Sequence, residues 1–199
     1  VNPRLDVMLE TLIDPQTVLR TWRSTAGDDG DLWCWYFVSG NDLIRLVTNG
    51  PEQYELSRLP NIDAALAEIG EILPLEPVPA AVNYQATMDQ ADVDLVSALA
   101  VDWDEVPAQT ILEADGLTPV EATEFFDDLT APKWQGRIDF VGCSSGQVDR
   151  YHRLLVLQGQ ELSWLAWQDD PDRSDLFIQT ATGGAFEDHL LAYLSEVSP

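Results

Sequence analysis

Basic charge is what this sequence has least of. Only 10 of its 199 residues are Lys or Arg, against 35 Asp or Glu, for a formal charge of −25, and Lys133 is its single lysine. Binding to nucleic acid or to anionic lipid depends on clustered cations that release counterions or meet headgroups, so neither is an expected partner. Cysteine is scarce too, with only Cys34 and Cys143. A chain of this length buries roughly 70% of the surface it exposes when unfolded, so it needs no disulfide framework or structural metal to fold. No window approaches the ~18 apolar residues of a spanning helix. The opening Val1-Asn2-Pro3-Arg4-Leu5-Asp6 also lacks the charged-then-apolar layout of a signal peptide, and the expected compartment is the cytoplasm. Abundant acid with little lysine suits a GC-rich genome or a salt-adapted proteome equally.

What is present is periodicity, and it repeats. Leu5, Met8, Leu9 and Leu12 mark one apolar helical stripe that ends at Asp14-Pro15, and Ala122, Phe125, Phe126 and Leu129 mark another that ends at Ala131-Pro132. Thr118, Pro119 and Glu121 supply the N-cap, first-turn proline and capping-box acid of the second helix. After each helix comes a run of strand-like segments, near 17–25, 32–39, 42–48 and 53–59 in the first half and near 136–143, 149–157, 161–168 and 175–181 in the second. Turn residues such as Gly40-Asn41, Ser145-Gly146 and Gly159 separate them. Segment 37–53 lies over 156–173, so that Gly40 meets Gly159, Leu43 meets Leu162, Leu46 meets Leu165 and Pro51 meets Pro171.

A further helix closes each half, carrying Ile62, Leu66, Ile69 and Leu73 in one and Phe186, Leu190, Tyr193 and Leu194 in the other. The expected fold is a single α+β domain over 1–199 with pseudo-two-fold internal duplication. Half-repeats of about 1–75 and 117–197 flank a helical bridge, 76–116, with helices near 88–101 and 104–114. One four-stranded meander with a single apolar face is incomplete until covered, so the halves are expected to merge into one central antiparallel sheet flanked by helices.

Two strands are apolar on both sides. Trp33, Trp35 and Phe37 share one face of theirs, with Leu32, Cys34, Tyr36 and Val38 on the other; Leu162, Trp164 and Ala166 oppose Leu165 and Trp167 in the second. Helices covering only one side would leave tryptophans exposed as a binding surface, whereas bridge helices over the other side would bury them.

Motifs for chemistry are thin. Gly142-Cys143-Ser144-Ser145-Gly146 has G-x-S-x-G spacing, with Asp175 and His189 following in hydrolase order, but the run after it is strand-like where a nucleophile elbow needs a helix. Cys34, Cys143, His152 and His189 are the only Cys and His residues and lack the close pair spacings of a zinc site. Asp102-Trp103-Asp104-Glu105 and Asp127-Asp128 fit solvated helix ends in so acidic a chain. Gly183-Gly184 precedes a helix without any phosphate-binding fingerprint. No catalytic residue, metal or cofactor is assigned.

The stretch 111–147, followed by Leu162-Ser163-Trp164-Leu165-Ala166-Trp167 and a helix after Gly183-Gly184, resembles the EspG family of type VII (ESX) secretion-associated proteins. Gly116-Leu117-Thr118-Pro119, Leu129 and Pro132 match that family's layout of a capped short helix leading into a strand of the second half. The resemblance implies a pseudo-two-fold α+β fold without catalysis and a role as cytosolic chaperone for PE–PPE pairs, holding the apolar tip of the PPE helical hairpin. The family's hairpin loop that contributes to substrate contact would here be Ala26 to Asp31. The expectation is therefore a non-enzymatic binding protein whose partner sits near Trp33, Trp35, Trp164 and Trp167, with Asp28 and Asp29 at the rim. The competing expectations are a small serine hydrolase using Ser144 and His189, and a self-associating domain whose aromatic face is a homodimer interface.

Overall fold

In the computed structural model, which describes residues 3–25, 31–48, 53–168 and 174–197, the first half runs α1 (Pro3–Ile13), β1 (Thr17–Thr25), β2 (Leu32–Ser39), β3 (Asp42–Thr48), β4 (Tyr54–Arg58) and α2 (Ile62–Ile72). A bridge follows with β5 (Gln85–Asp89), α3 (Gln90–Val101) and α4 (Glu105–Ala114). The second half repeats the order of the first as α5 (Pro119–Thr130), β6 (Trp134–Ser144), β7 (Gln147–Gln158), β8 (Ser163–Trp167), β9 (Asp175–Thr180) and α6 (Ala185–Val197). Pro51 and Pro171 lie outside the described residues. The start of α5 has the local chemistry its sequence announces: Thr118 Oγ1 accepts from the Glu121 amide, and the Glu121 carboxylate accepts from the Thr118 amide.

All strands join one antiparallel sheet in the order β4-β3-β2-β1-β6-β7-β8-β9-β5. The halves meet at β1 and β6, paired from Thr17 with Gly142 to Thr25 with Trp134. This is the α+β architecture expected, a central antiparallel sheet flanked by helices. One strand was not expected. The sequence points to a helix from 88, but residues 85–89 form β5 on the β9 edge, burying Ala86 and Met88, and α3 starts only after Asp89 caps it at the Ala91 amide. Edge pairing satisfies the backbone of five residues whose alternation is too short to stand out.

Each face is covered differently. On the first, Leu19, Tyr36, Ile138, Phe140 and Leu165 pack beneath Ile69 of α2 and Phe186 and Leu190 of α6. On the second, Met88, Trp164 and Ile178 pack beneath Val96 of α3, Leu112 of α4 and Phe125 of α5. The bridge layer thus seals the end of the second face built by β5, β9, β8 and part of β7, while α1 packs on β3 and β2 at the other end, where Ile44 is fully buried. Among the described residues, no helix is long and apolar enough to cross a membrane.

Asp128, at the end of α5, ties that layer to the sheet. Its carboxylate is 2% exposed and accepts from the amides of Gln160 (2.8 Å), Glu161 (3.3 Å) and Leu162 (3.3 Å) in the β7–β8 turn and from Trp164 Nε1 (3.0 Å). Asp128 is therefore not on a solvated helix end, as its sequence context suggests, but an interior acceptor. Gly159 faces it: a Cβ there would lie 2.0 Å from the Asp128 carboxyl carbon. The glycine of the matching turn, Gly40, is required for another reason, a φ of +56°. Gly159→Ala is expected to lose about 2 kcal/mol, as overpacking of a tight core does. In an Asp128→Gly background, which removes the Asp128 Cβ (2.4 Å from the added Cβ) along with the carboxyl, the same change should cost far less, and a double-mutant cycle in urea checks this.

Candidate functional site

Outside the bridge layer, the register of β2, β1, β6 and β7 sets the side chains of the second face in rows. One row is Trp33, Trp22, Arg137 and Leu155; the next is Trp35, Arg20, Asp139 and Arg153; the third is Phe37, Val18, Val141 and Tyr151. Trp33 and Trp35 stack with centroids 5.8 Å apart and planes 14° apart, and Trp22 leans on Trp33 at 6.0 Å. Over these rings lie guanidinium groups: Arg137 is 5.8 Å from the Trp22 ring and 5.6 Å from that of Trp33, Arg20 is 5.8 Å from Trp33, and Arg153 is 5.4 Å from the Tyr151 ring. Each contact is worth about 0.5–1 kcal/mol where solvent reaches it, so together they hold the cations in place.

Asp139 is the anion at the centre, with its side chain 1% exposed. It accepts from Arg20 through both Nε (2.7 Å) and Nη2, from Arg153 Nε (2.8 Å) and from the Tyr151 hydroxyl (2.7 Å). Burial works to raise its pKa, but the bonds from Arg153, Tyr151 and Arg20 outweigh burial and hold the carboxyl below its ordinary range. The same contact works in reverse on Tyr151, which burial and the Asp139 charge push up to about 12. A depressed carboxyl stabilises the fold above its unfolded pKa, near ~3.9, and that contribution is lost as pH falls through the folded value. The stability difference between the native chain and Asp139→Asn should therefore be constant above about pH 5 and shrink below about pH 4. Urea titrations across that range measure it.

The expected site residues do not form one surface. Trp33 and Trp35 are half-buried members of the rows. Trp164, on the same side, is 2% exposed, edge-on to Phe125 at 4.8 Å beneath the bridge helices. Trp167 lies on the opposite face, stacked on Phe177 at 5.9 Å with the His189 ring at 4.2 Å. Asp28 and Asp29 lie outside the described residues. Reading single strands missed Trp22, Arg20, Arg137, Arg153 and Asp139. The available signal was the alternation Arg20-Thr21-Trp22 and Arg137-Ile138-Asp139, which places polar and aromatic groups on one side of each strand.

The residues considered for catalysis are apart. Ser144 leads into a two-residue hairpin, Ser145 and Gly146 at φ 54° and 74°, and β7 follows where an elbow requires a helix. Asp14, Gln16, Ser39, Asp149 and Arg150 surround it, while His189 is on α6 against Trp167. Cys34 and Cys143 are free thiols. His152 stacks on Tyr193 and its Nε2 lies 2.9 Å from a Glu196 carboxylate oxygen. Among the described residues, no group of three His, Cys, Asp or Glu side chains is placed to hold a metal.

Beside the rows, where Trp22 and Leu155 meet the bridge layer, a cavity of about 200 Å³ opens, lined also by Val93, Phe125, Leu129 and Leu157. The second face therefore offers an aromatic and cationic platform with an apolar hole at its edge.

No family model and no curated protein matches the chain. Among solved structures, it matches that of the Mycobacterium tuberculosis type VII secretion system chaperone EspG5 in complex with a PE25–PPE41 dimer. The TM-score is 0.72, over 100% of this chain and 79% of that one, at 12% sequence identity. The chain has the EspG fold. At that identity the shared property is the path of the backbone. Within the EspG fold of this chain, the Trp22, Trp33 and Trp35 platform is set by its own side chains.

Proposed function

We propose that the chain is a non-enzymatic, cytoplasmic chaperone of the EspG kind, which holds the apolar tip of a PE–PPE-like type VII secretion substrate until export. The observation that carries this reading is the match in fold, along the whole chain, to a chaperone solved with a PE–PPE dimer. The platform supports it further. Trp22, Trp33 and Trp35 are half-buried on a sheet face that the bridge layer leaves open, and such aromatic patches serve as binding anchors. In this reading the client seats on Trp33 and Trp35, and Trp164 and Trp167 play no direct part. The repeated order of helix, four strands and helix supports a second proposal, that the two halves descend from one duplicated unit around a single domain.

Co-expression with candidate PE–PPE pairs followed by gel filtration tests the role. Co-elution of a stoichiometric complex is expected, and failure with every pair contradicts it. Light scattering on the chain alone adds a check, because a stable homodimer that covers the platform would make the face a self-association surface instead.

A further inference from the structure

We infer that the platform selects a client tip that carries a carboxylate beside a bulky apolar side chain, with Arg137 taking the acid and the neighbouring cavity taking the apolar group. This rests on the client-binding reading of the same face. The starting observation is charge. In a chain of −25 with only 10 basic residues, Arg20, Arg137 and Arg153 converge on a single carboxylate. Three cations around one anion leave the cluster positive, on a protein that repels acidic partners elsewhere.

The hydrogen bonds then single out one arginine. Both Asp139 oxygens are occupied by Arg20, Arg153 and Tyr151. Arg137 reaches Asp139 only at 3.4 Å from Nε, beyond a good hydrogen bond, and its buried Nε has no acceptor. The buried indole N–H of Trp22, beside it in register, lacks one as well. Both atoms are buried, so an outside acceptor would meet Arg137 at the exposed quarter of its side chain, which no good hydrogen bond to Asp139 holds. Arg137 is also held ready for the task. Its guanidinium is fixed over two tryptophan rings, and its side chain is 26% exposed, the arrangement in which a planar fork meets a carboxylate in a bidentate pair with little ordering left to do.

The second requirement comes from shape. The cavity begins at Trp22 and Leu155, the two residues flanking Arg137 in its row. Its volume of about 200 Å³ exceeds the ~150 Å³ in which a dry apolar cavity already holds benzene. It therefore accepts a Leu, Phe or Trp side chain delivered next to the acid.

The test is a displayed library of stable two-helix hairpins randomised at the tip and selected against the full-length chain. Recovered tips are expected to carry Asp or Glu adjacent to Leu, Phe or Trp. Arg137→Gln should weaken them by at least tenfold, while Arg137→Lys, which keeps the charge but not the fork, falls between. A thermal melt of each variant confirms that it is folded. Recovery of apolar tips without acid enrichment, binding by Arg137→Gln within twofold of the native chain, or no binder at all would overturn the inference. The secretion role fails separately. Acidic tips recovered while no PE–PPE pair co-elutes would remove that role and leave the selectivity standing, whereas a PE–PPE complex indifferent to Arg137→Gln would do the reverse.

Discussion

Asp128→Ala is expected to destabilise the chain by about 4 kcal/mol, the largest loss predicted for any single side chain here. The substitution leaves three backbone amides of the β7–β8 turn and the Trp164 indole without the acceptor they share. Hydrogen bonds to a charged group contribute about 1.5–3 kcal/mol each, and buried donors left unpaired add their own cost; recovery of the desolvation of the buried carboxylate offsets part of the sum. For a chain of this length the melting temperature should fall by roughly 10 °C. Asp128→Asn, which keeps one acceptor oxygen, should lose about half as much. Chemical denaturation of the three proteins gives the comparison, and a loss under 1 kcal/mol for the alanine variant would mean that the bridge layer does not depend on this tie.

Trp33→Ala should weaken client binding by about thirtyfold or more while shifting the melt by only a few degrees. The ring is half-buried and touches Trp22, Trp35, Arg20 and Arg137, so it is the hub on which the rest of the platform is laid. Central aromatic anchors of this kind contribute ≥ ~2 kcal/mol to an interface, whereas their removal from a partly solvated face costs the fold less. Trp167→Ala, on the opposite face, serves as the contrast and should leave affinity within about twofold, the usual result for a residue outside the contact. Titration calorimetry with a co-purified PE–PPE pair separates the two. Equal losses from both variants would mean that the client reads the stability of the chain rather than this surface.

Much of this fold was legible because the meanders announce themselves. Strands such as Leu32 to Val38 are continuous apolar runs bounded by turn residues, turns fall where Gly40 and Gly146 must adopt positive φ, and the Thr118–Glu121 capping box fixes a helix start to the residue. β5 was not legible. Gln85 to Asp89 is five residues long and passes into α3 without a turn residue, so its pairing is decided by the free edge of β9 and not by local propensity.

The site divides in the same way. Trp33 and Trp164 look alike in sequence, each on a strand that is apolar on both faces. What separates them is which end of the sheet the bridge helices cover, a tertiary fact with no local trace. Asp128 could not be told from the other 34 acids without Gly159 opposite it. Asp139 and Arg137 needed the β1–β6 register before their neighbours could be named.

The most direct test of the central claim, that the face left open by the bridge layer is where the client sits, is oxidative footprinting of the tryptophans with and without a bound PE–PPE pair. Labelling of Trp22, Trp33 and Trp35 should drop severalfold in the complex, Trp167 should be unchanged, and Trp164 should stay unlabelled throughout. Protection of Trp167 with Trp33 and Trp35 still oxidised as in the free chain would contradict it.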